Sequence, residues 1–189
     1  MAACRIFAGQ GELSFRGPPS LGAAAALDPR VRPEEPSAGI TFSLCEKTVP
    51  VRSSRSETGF HVEMAQGEPV FLGGIPRAEA AWMAFAHHLS PDDLDTSLPM
   101  EVVTTGLPYL LIPVRGGLKT ARITVPDLRE HIAPLGASYT YLINAETMEA
   151  RTWDTQGLAE DSATGSAAGP VCAYLVRHGR IDEGRTIEI

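Results

Sequence analysis

Residues 160–179, "EDSATGSAAGPVCAYLVRHG", set two acidic residues and a run of small hydroxyl and glycine residues directly before an alanine-rich helix. So apolar a helix must be wrapped by other elements. Its first N–H groups have no internal partner and carry partial positive charge, which makes the helix start an anion site. Gly165 and Ser166 leave those amides unshielded. Ala167, Ala168 and Ala173 keep the helix thin enough for a sheet to close around it, and Val171, Tyr174 and Leu175 fill the space between. Beside a bound anion, burial and like charge would raise the pKa values of Glu160 and Asp161 toward the range useful for proton transfer. The plainer reading of the same residues is an N-cap formed by Thr164 or Ser162, worth about 1 kcal/mol.

The stretch has an echo near the N-terminus. Set GELSFRGPPSLGAAAAL (11–27) beside AEDSATGSAAGPVCAYL (159–175), and Glu12 falls on Glu160, Gly17 on Gly165, Ala25 on Ala173 and Leu27 on Leu175 without a gap. This reads as a duplicated unit of acidic strand end, glycine turn and small-residue helix. Two units related by a pseudo-twofold axis would point both helix starts into one cleft, where a small carboxylate could be gripped from two sides. Glu12, as the mirror of Glu160, is a candidate acid/base; an ordinary surface carboxylate at a strand end is the simpler alternative.

Outward from these landmarks, the periodicity gives two short strands around a turn at Gly9 to Gly11, a short helix with Pro19 in its first turn, and a proline-rich loop, ALDPRVRPEEPSAG. ITFSLCEK, TVPVRSS and GFHVEMAQ follow as an antiparallel meander. PRAEAAWMAFAHHL is a helix with Ala81, Met83 or Phe85 inward, and SPDDLDTSLP is a polar connector. The chain divides there, into 1–95 and 96–189. The second half is expected to hold strands MEVVTTG and YLLIPVR, a helix from Val125 to Ala133, strands SYTYLINA and EARTWD, and then the quoted stretch.

Composition excludes several classes. With 43% hydrophobic and 21% charged residues the chain suits a soluble globular protein, and no apolar run approaches the roughly 20 residues of a membrane helix. No secretory signal is read at the N-terminus, so cytoplasm is the expected location. A formal charge of −7 without a Lys/Arg cluster argues against nucleic acid. Cys4, Cys45 and Cys172 are too scattered for a disulfide framework or metal site, and read as partly buried thiols. His87 and His88 are adjacent, not at chelating spacing, and read as surface residues; His61, His131 and His178 complete no metal set. No glycine run has dinucleotide or phosphate-loop spacing. Trp82 and Trp153 read as packing residues.

EDSATGSAAGPVCAYL resembles the "EDPATGSA" signature of the PhzF-like family, the phenazine-biosynthesis relatives of the diaminopimelate epimerase fold. RIFAGQGELSFRGPPSLGAAAAL and VVTTGLPYLLIPV resemble its other blocks, so the likeness spans nearly the whole chain. The resemblance implies an α+β fold of two pseudo-symmetric halves, each a curled, mostly antiparallel sheet around a central helix. It implies a metal-free and cofactor-free isomerase or epimerase, commonly a homodimer, that moves protons on small carboxylated, amino-acid-derived or cyclic metabolites in phenazine-like or antibiotic biosynthesis. By position Asp161 matches the family's aspartate, and Gly165, Ser166 and Ala167 its anion-binding turn. Gly17 and Ser20 are the counterparts in the first half.

Departures from the pattern accompany the matches. The family's leading "S-E-T" glutamate has no counterpart in place, since Ser56 to Gly59 lie downstream of the first helix and Glu57 reads as a turn residue. Pro18 stands where the family has a histidine. The chain is expected to be shortened at both ends, and strand edges left open favour dimerisation. A short relative with another acid/base, an excerpt of a longer protein, and a homologue that binds without turnover all fit. Racemases of related fold use two cysteines at the helix starts; here those places hold Pro18 or Pro19 and Ser166, which argues against a two-thiol mechanism.

Overall fold

The computed structural model describes residues 2–8, 11–13, 17–31, 33–44 and 48–189. Contacts divide the chain into two compact units, Met1–Gly67 and Glu68–Ile189. The expected turn residues Gly9 and Gln10, and Cys45, lie outside the described residues.

The first unit runs β1 (Ala2–Ala3), β2 (Ile6–Ala8), β3 (Gly11–Leu13), α1 (Gly17–Val31), β4 (Ser37–Ser43), β5 (Thr48–Ser56) and β6 (Gly59–Met64). β2 and β3 form an antiparallel hairpin. The other four strands make one sheet in the order β1-β4-β5-β6, with β1 parallel to β4 and the remaining pairs antiparallel. Side chains alternate across a strand, so Ala38, Ile40 and Phe42 of β4 and Val49 and Val51 of β5 turn to one face. The core there joins Ile40, Phe42, Val49 and Val51 to Ala24 of α1 and to Ile6.

α1 overturns one expectation. Leu27 to Val31, read as part of a proline-rich loop, continue the helix. Asp28 supplies the reason. Its side chain is fully buried and accepts a hydrogen bond from Arg55 Nε of β5 at 2.8 Å. Removing Arg55 would strand the buried Asp28 charge, so this tertiary pair holds a turn that Pro29, lacking an N–H, does not favour by itself.

The second unit runs β7 (Val70–Gly74), α2 (Ala80–Ala86), β8 (Glu101–Thr104), β9 (Pro108–Pro113), α3 (Leu128–Ile132), β10 (Tyr139–Ile143), β11 (Ala150–Arg151) and α4 (Gly165–Arg177). Its sheet has the order β11-β10-β9-β8-β7. β9 and β10 are parallel, joined by a crossover through α3, and the other pairs are antiparallel. Both faces are covered, which is why β9 and β10 read as nearly unbroken apolar runs. Val103, Tyr109, Leu111, Tyr141 and Ile143 share a cluster with Ala167, Val171, Tyr174 and Leu175 of α4. Val102, Leu110, Ile112 and Leu142, of opposite parity, pack with Met83 of α2 and Leu128 and Ile132 of α3. The helix expected from Val125 to Ala133 is shorter than that, and a 3₁₀ turn, Ala133–Leu135, follows it.

β7 escapes the sequence reading because VFLGG ends in two glycines. Its register shifts between Phe71 and Gly73, and Gly73 sits at φ +128°, a bulge at the edge of the sheet. Since β7 pairs with β8, the contacts divide after Gly67, and the cut expected after residue 95 falls within the second unit.

Two further expectations change at α2. Met83 is buried as expected, but Ala84, Ala86 and His87 share its face, while Ala81 and Phe85 point to solvent, Phe85 being 64% exposed. At about 100° per residue, position 85 lies on the opposite side from 83 and 87. His87 is not a surface residue. It is fully buried, with Nδ1–H donating to Met83 O at 2.8 Å and Nε2 accepting from Thr140 Oγ1 at 2.8 Å. A carbonyl can only accept, so Nδ1 carries a proton, and burial favours the neutral ring, in which Nε2 is the acceptor.

Candidate functional site

The approach to α4 is a tight hairpin. After β11 the chain turns back so that Trp153 bridges Glu160, Asp154 N–H donates to Ala159 O and Asp161 N–H to Thr152 O. Asp154 Oδ1 closes the tip by accepting from the Gln156 and Leu158 amides. Gly157 at the tip has φ +70°, and a Cβ there would lie 2.9 Å from Ile123 Cβ, so glycine is required both for its conformation and for the close approach. Asp161 then opens the turn into the helix. Its Oδ1 accepts from Ala163 N–H at 3.2 Å and its carbonyl from Thr164 Oγ1 at 3.1 Å. Thr164 occupies the N-cap position without a side-chain cap bond, so the capping reading of that residue is not what forms.

The amides at the mouth are used unequally. Gly165 N–H donates to Ala163 O and Ala167 N–H to Thr164 O, while Ser166 N–H has no acceptor among the described residues. Ser166 Oγ points the other way, buried 2.7 Å from Tyr109 Oη. A pocket of about 440 Å³ opens at this mouth, lined among others by Tyr141, Thr152, Asp161, Thr164, Gly165 and Ala168. Burial pushes the Tyr141 phenol up to about 12, with the negative charge of Asp161 adding to the effect. At neutral pH that group is therefore a protonated donor.

Glu160 departs from the sequence reading. Both its oxygens are taken by Arg151, Nε to Oε1 and Nη2 to Oε2, each at 2.6 Å. Those bonds hold its carboxyl below the usual carboxylate range instead of raising it, although burial acts the other way. Arg151 also donates through Nη1 to Leu118 O and Ala121 O and lies 4.7 Å over the ring of Trp153, itself buried. Glu160 thus anchors the hairpin.

The first unit repeats this device. Arg5 Nε and Nη2 donate to Glu12 Oε1 and Oε2 at 3.0 and 2.7 Å, and Arg5 lies 4.9 Å over Phe7. Arg5-Ile6-Phe7 begins seven positions before Glu12 and Arg151-Thr152-Trp153 nine before Glu160, so the same grouping of arginine, spacer and aromatic recurs upstream of the duplication, two residues out of its gapless register. The structure places Glu12 in this forked pair. Gly17 and Ser20 are buried at the start of α1, while Pro18 and Pro19 supply no N–H there. Arg151, Thr152 and Tyr141 are the residues of the second unit's site that the spacing argument missed.

Among the described residues no group of three or more His, Cys, Asp and Glu side chains could hold a metal ion, and no helix is long and apolar enough to cross a membrane.

Comparison with known proteins adds the family context. A family model described as phenazine biosynthesis-like protein matches residues 2–189. Trans-2,3-dihydro-3-hydroxyanthranilate isomerase of Pseudomonas chlororaphis is 28% identical over 200 residues, covering 100% of this chain and 64% of that protein, so the chain spans less than two thirds of this relative's length. The solved structure of a predicted epimerase from Pseudomonas aeruginosa superposes with a TM-score of 0.91 at 45% identity, over 97% of this chain and 65% of the other. A PhzF-family phenazine biosynthesis protein of Bacillus anthracis superposes at 0.73 with 25% identity, over 92% and 61% of the two chains.

Proposed function

The chain belongs to the phenazine biosynthesis-like family, and from that premise we propose that the α4 mouth belongs to the site of an isomerase or epimerase, with Asp161 as the acid/base. Its substrate would be a small carboxylated metabolite, amino-acid-derived or cyclic, of the kind acted on by the hydroxyanthranilate isomerase to which the chain is similar. The reaction needs no change of oxidation state. Asp161 takes a proton as a C–H bond breaks, and the electron pair delocalises toward a carboxylate oxygen held at the helix start. Return of the proton to another carbon or to the opposite face completes the step. The helix dipole and the Ser166 amide stabilise the negative charge as it develops. A cytoplasmic homodimer acting without metal or redox cofactor completes the reading.

One observation carries it: a single pocket gathers Asp161, the helix start and the Tyr141 ring, while the neighbouring carboxylate Glu160 is tied to Arg151. Glu12 is tied to Arg5 in the same way. Asp161 takes the proton-transfer role ahead of Glu12 because it lines the pocket at the helix start and matches the family's motif by position.

The test is deuterium incorporation from solvent into trans-2,3-dihydro-3-hydroxyanthranilate and a panel of amino-acid-derived acids. Asp161→Asn is expected to reduce the rate at least about 100-fold, and Glu12→Gln to leave it within a few fold. Full exchange by Asp161→Asn, or its loss in Glu12→Gln, would move the role elsewhere. A second reading, binding without turnover, draws on Pro18 and Pro19, which remove two amides from the start of α1. It predicts binding with no exchange across the panel.

A further inference from the structure

Three tyrosines of the second unit are buried in the cluster around α4: Tyr109, Tyr141 and Tyr174. A buried phenol normally finds a hydrogen-bond partner, because leaving one unmade has a free-energy penalty. Tyr109 Oη pairs with Ser166 Oγ at 2.7 Å, and Tyr174 Oη donates to Pro99 O at 2.6 Å. Tyr141 is the exception. It is 7% exposed, and among the described residues its hydroxyl has no hydrogen-bond partner. Yet it lines the pocket at the α4 mouth together with Asp161 and Gly165.

The ring has little freedom to look elsewhere. It stands on β10 with its neighbours Thr140 and Leu142 buried on the opposite face, and its edge packs against Tyr109 at 6.0 Å between centroids, nearly perpendicular. Its hydroxyl is not among the buried side-chain atoms left without a partner, so it opens onto the pocket at an anion-attracting helix start, where a ligand oxygen can take the place of solvent as its acceptor. We propose that Tyr141 is a ligand-binding residue whose O–H donates to an oxygen of a small carboxylate seated at the α4 mouth, in the pocket it shares with Asp161 and Gly165. This inference rests on the reading of that mouth as the substrate site, and it extends it by naming a side chain that orients the carboxylate. The phenol stays protonated far above neutral pH, so it serves as a donor and leaves proton abstraction to Asp161.

The experiment is calorimetric titration of the full chain with anthranilate, a planar amino-carboxylate, and with aniline, which lacks the carboxylate. Wild type is expected to bind anthranilate and to ignore aniline. Tyr141→Phe, which removes one oxygen that has no internal partner, is expected to keep the thermal midpoint of wild type while weakening anthranilate about tenfold, as loss of a hydrogen bond to a charged group implies. Tyr174→Phe is the control; it removes the bond to Pro99 and is expected to lower the midpoint without changing the affinity. Equal affinity in wild type and Tyr141→Phe would overturn the tyrosine's role and leave the helix mouth as the site. Absence of anthranilate binding in wild type would overturn both. A falling midpoint in Tyr141→Phe with unchanged affinity would assign the hydroxyl to structure alone.

Discussion

At the scale of single residues, the site separates two adjacent carboxylates by their partners. Glu160 sits in an arginine fork and Asp161 opens the turn into the helix, and nothing in the letters "ED" distinguishes them. The difference comes from Arg151, nine positions upstream, which reaches Glu160 only because Gly157 lets the hairpin close against Ile123. Arg151 also satisfies two carbonyls and covers Trp153, whereas Glu160 is partly open to solvent, with 40% of its side chain exposed. Removing the arginine should therefore do more harm than neutralising the glutamate. Arg151→Ala is expected to lower unfolding stability by about 2–3 kcal/mol through lost hydrogen bonds and packing. Glu160→Gln should lower it by about 1 kcal/mol or less, since exposed ion pairs contribute little. Urea midpoints of the two variants check the order; a larger loss in Glu160→Gln would mean that the pair, not the carbonyl contacts, holds the hairpin.

At the scale of elements, the sequence made α4, β8, β9 and β10 legible because their patterns are long and consistent. It left β7 and the end of α1 illegible because tertiary contacts decide them: pairing with β8 for the glycine-ended β7, and the Asp28 to Arg55 pair for the proline-containing turn. His87 belongs to the same class, since adjacency to His88 says nothing about which ring points inward. Its contacts link α2 to the site's strands. His87 bonds Thr140 Oγ1, Thr140 O accepts from Thr152 Oγ1 at 2.7 Å, and Thr152 O accepts from Asp161 N–H at 3.1 Å. Burial lowers the His87 pKa, with the bond to Met83 O opposing. The neutral ring is favoured in the folded state, so its contribution to stability is full above the unfolded histidine value of about 6.5 and declines as pH falls from there toward the lower folded value. Measured between pH 7 and 5, wild type should lose more stability than His87→Leu, the variant being less stable at pH 7 but flatter with pH. Parallel pH profiles would show that His87 does not carry this dependence.

At the scale of the whole molecule, the duplication was the most informative feature of the sequence, and the matching arginine, aromatic and glutamate groupings at Arg5 and Arg151 give it physical content within each unit. The boundary was less legible, because a polar connector looks like a linker even when the strands and helix on either side of it share one core. Since Glu68–Ile189 contains two apolar clusters covering both faces of its own sheet, that fragment is expected to fold alone, with cooperative thermal unfolding and dispersed amide resonances. A fragment without such a transition would show that its core depends on residues 1–67. The central claim, that the start of α4 receives a small carboxylate beside Asp161, is tested most directly by following backbone amide resonances of the full chain during titration with anthranilate. The largest saturable shifts are predicted at Asp161 to Ala168, with Ser166 foremost and Tyr141 among them. Saturable shifts confined to other surfaces, with the Ser166 amide unmoved, would contradict it.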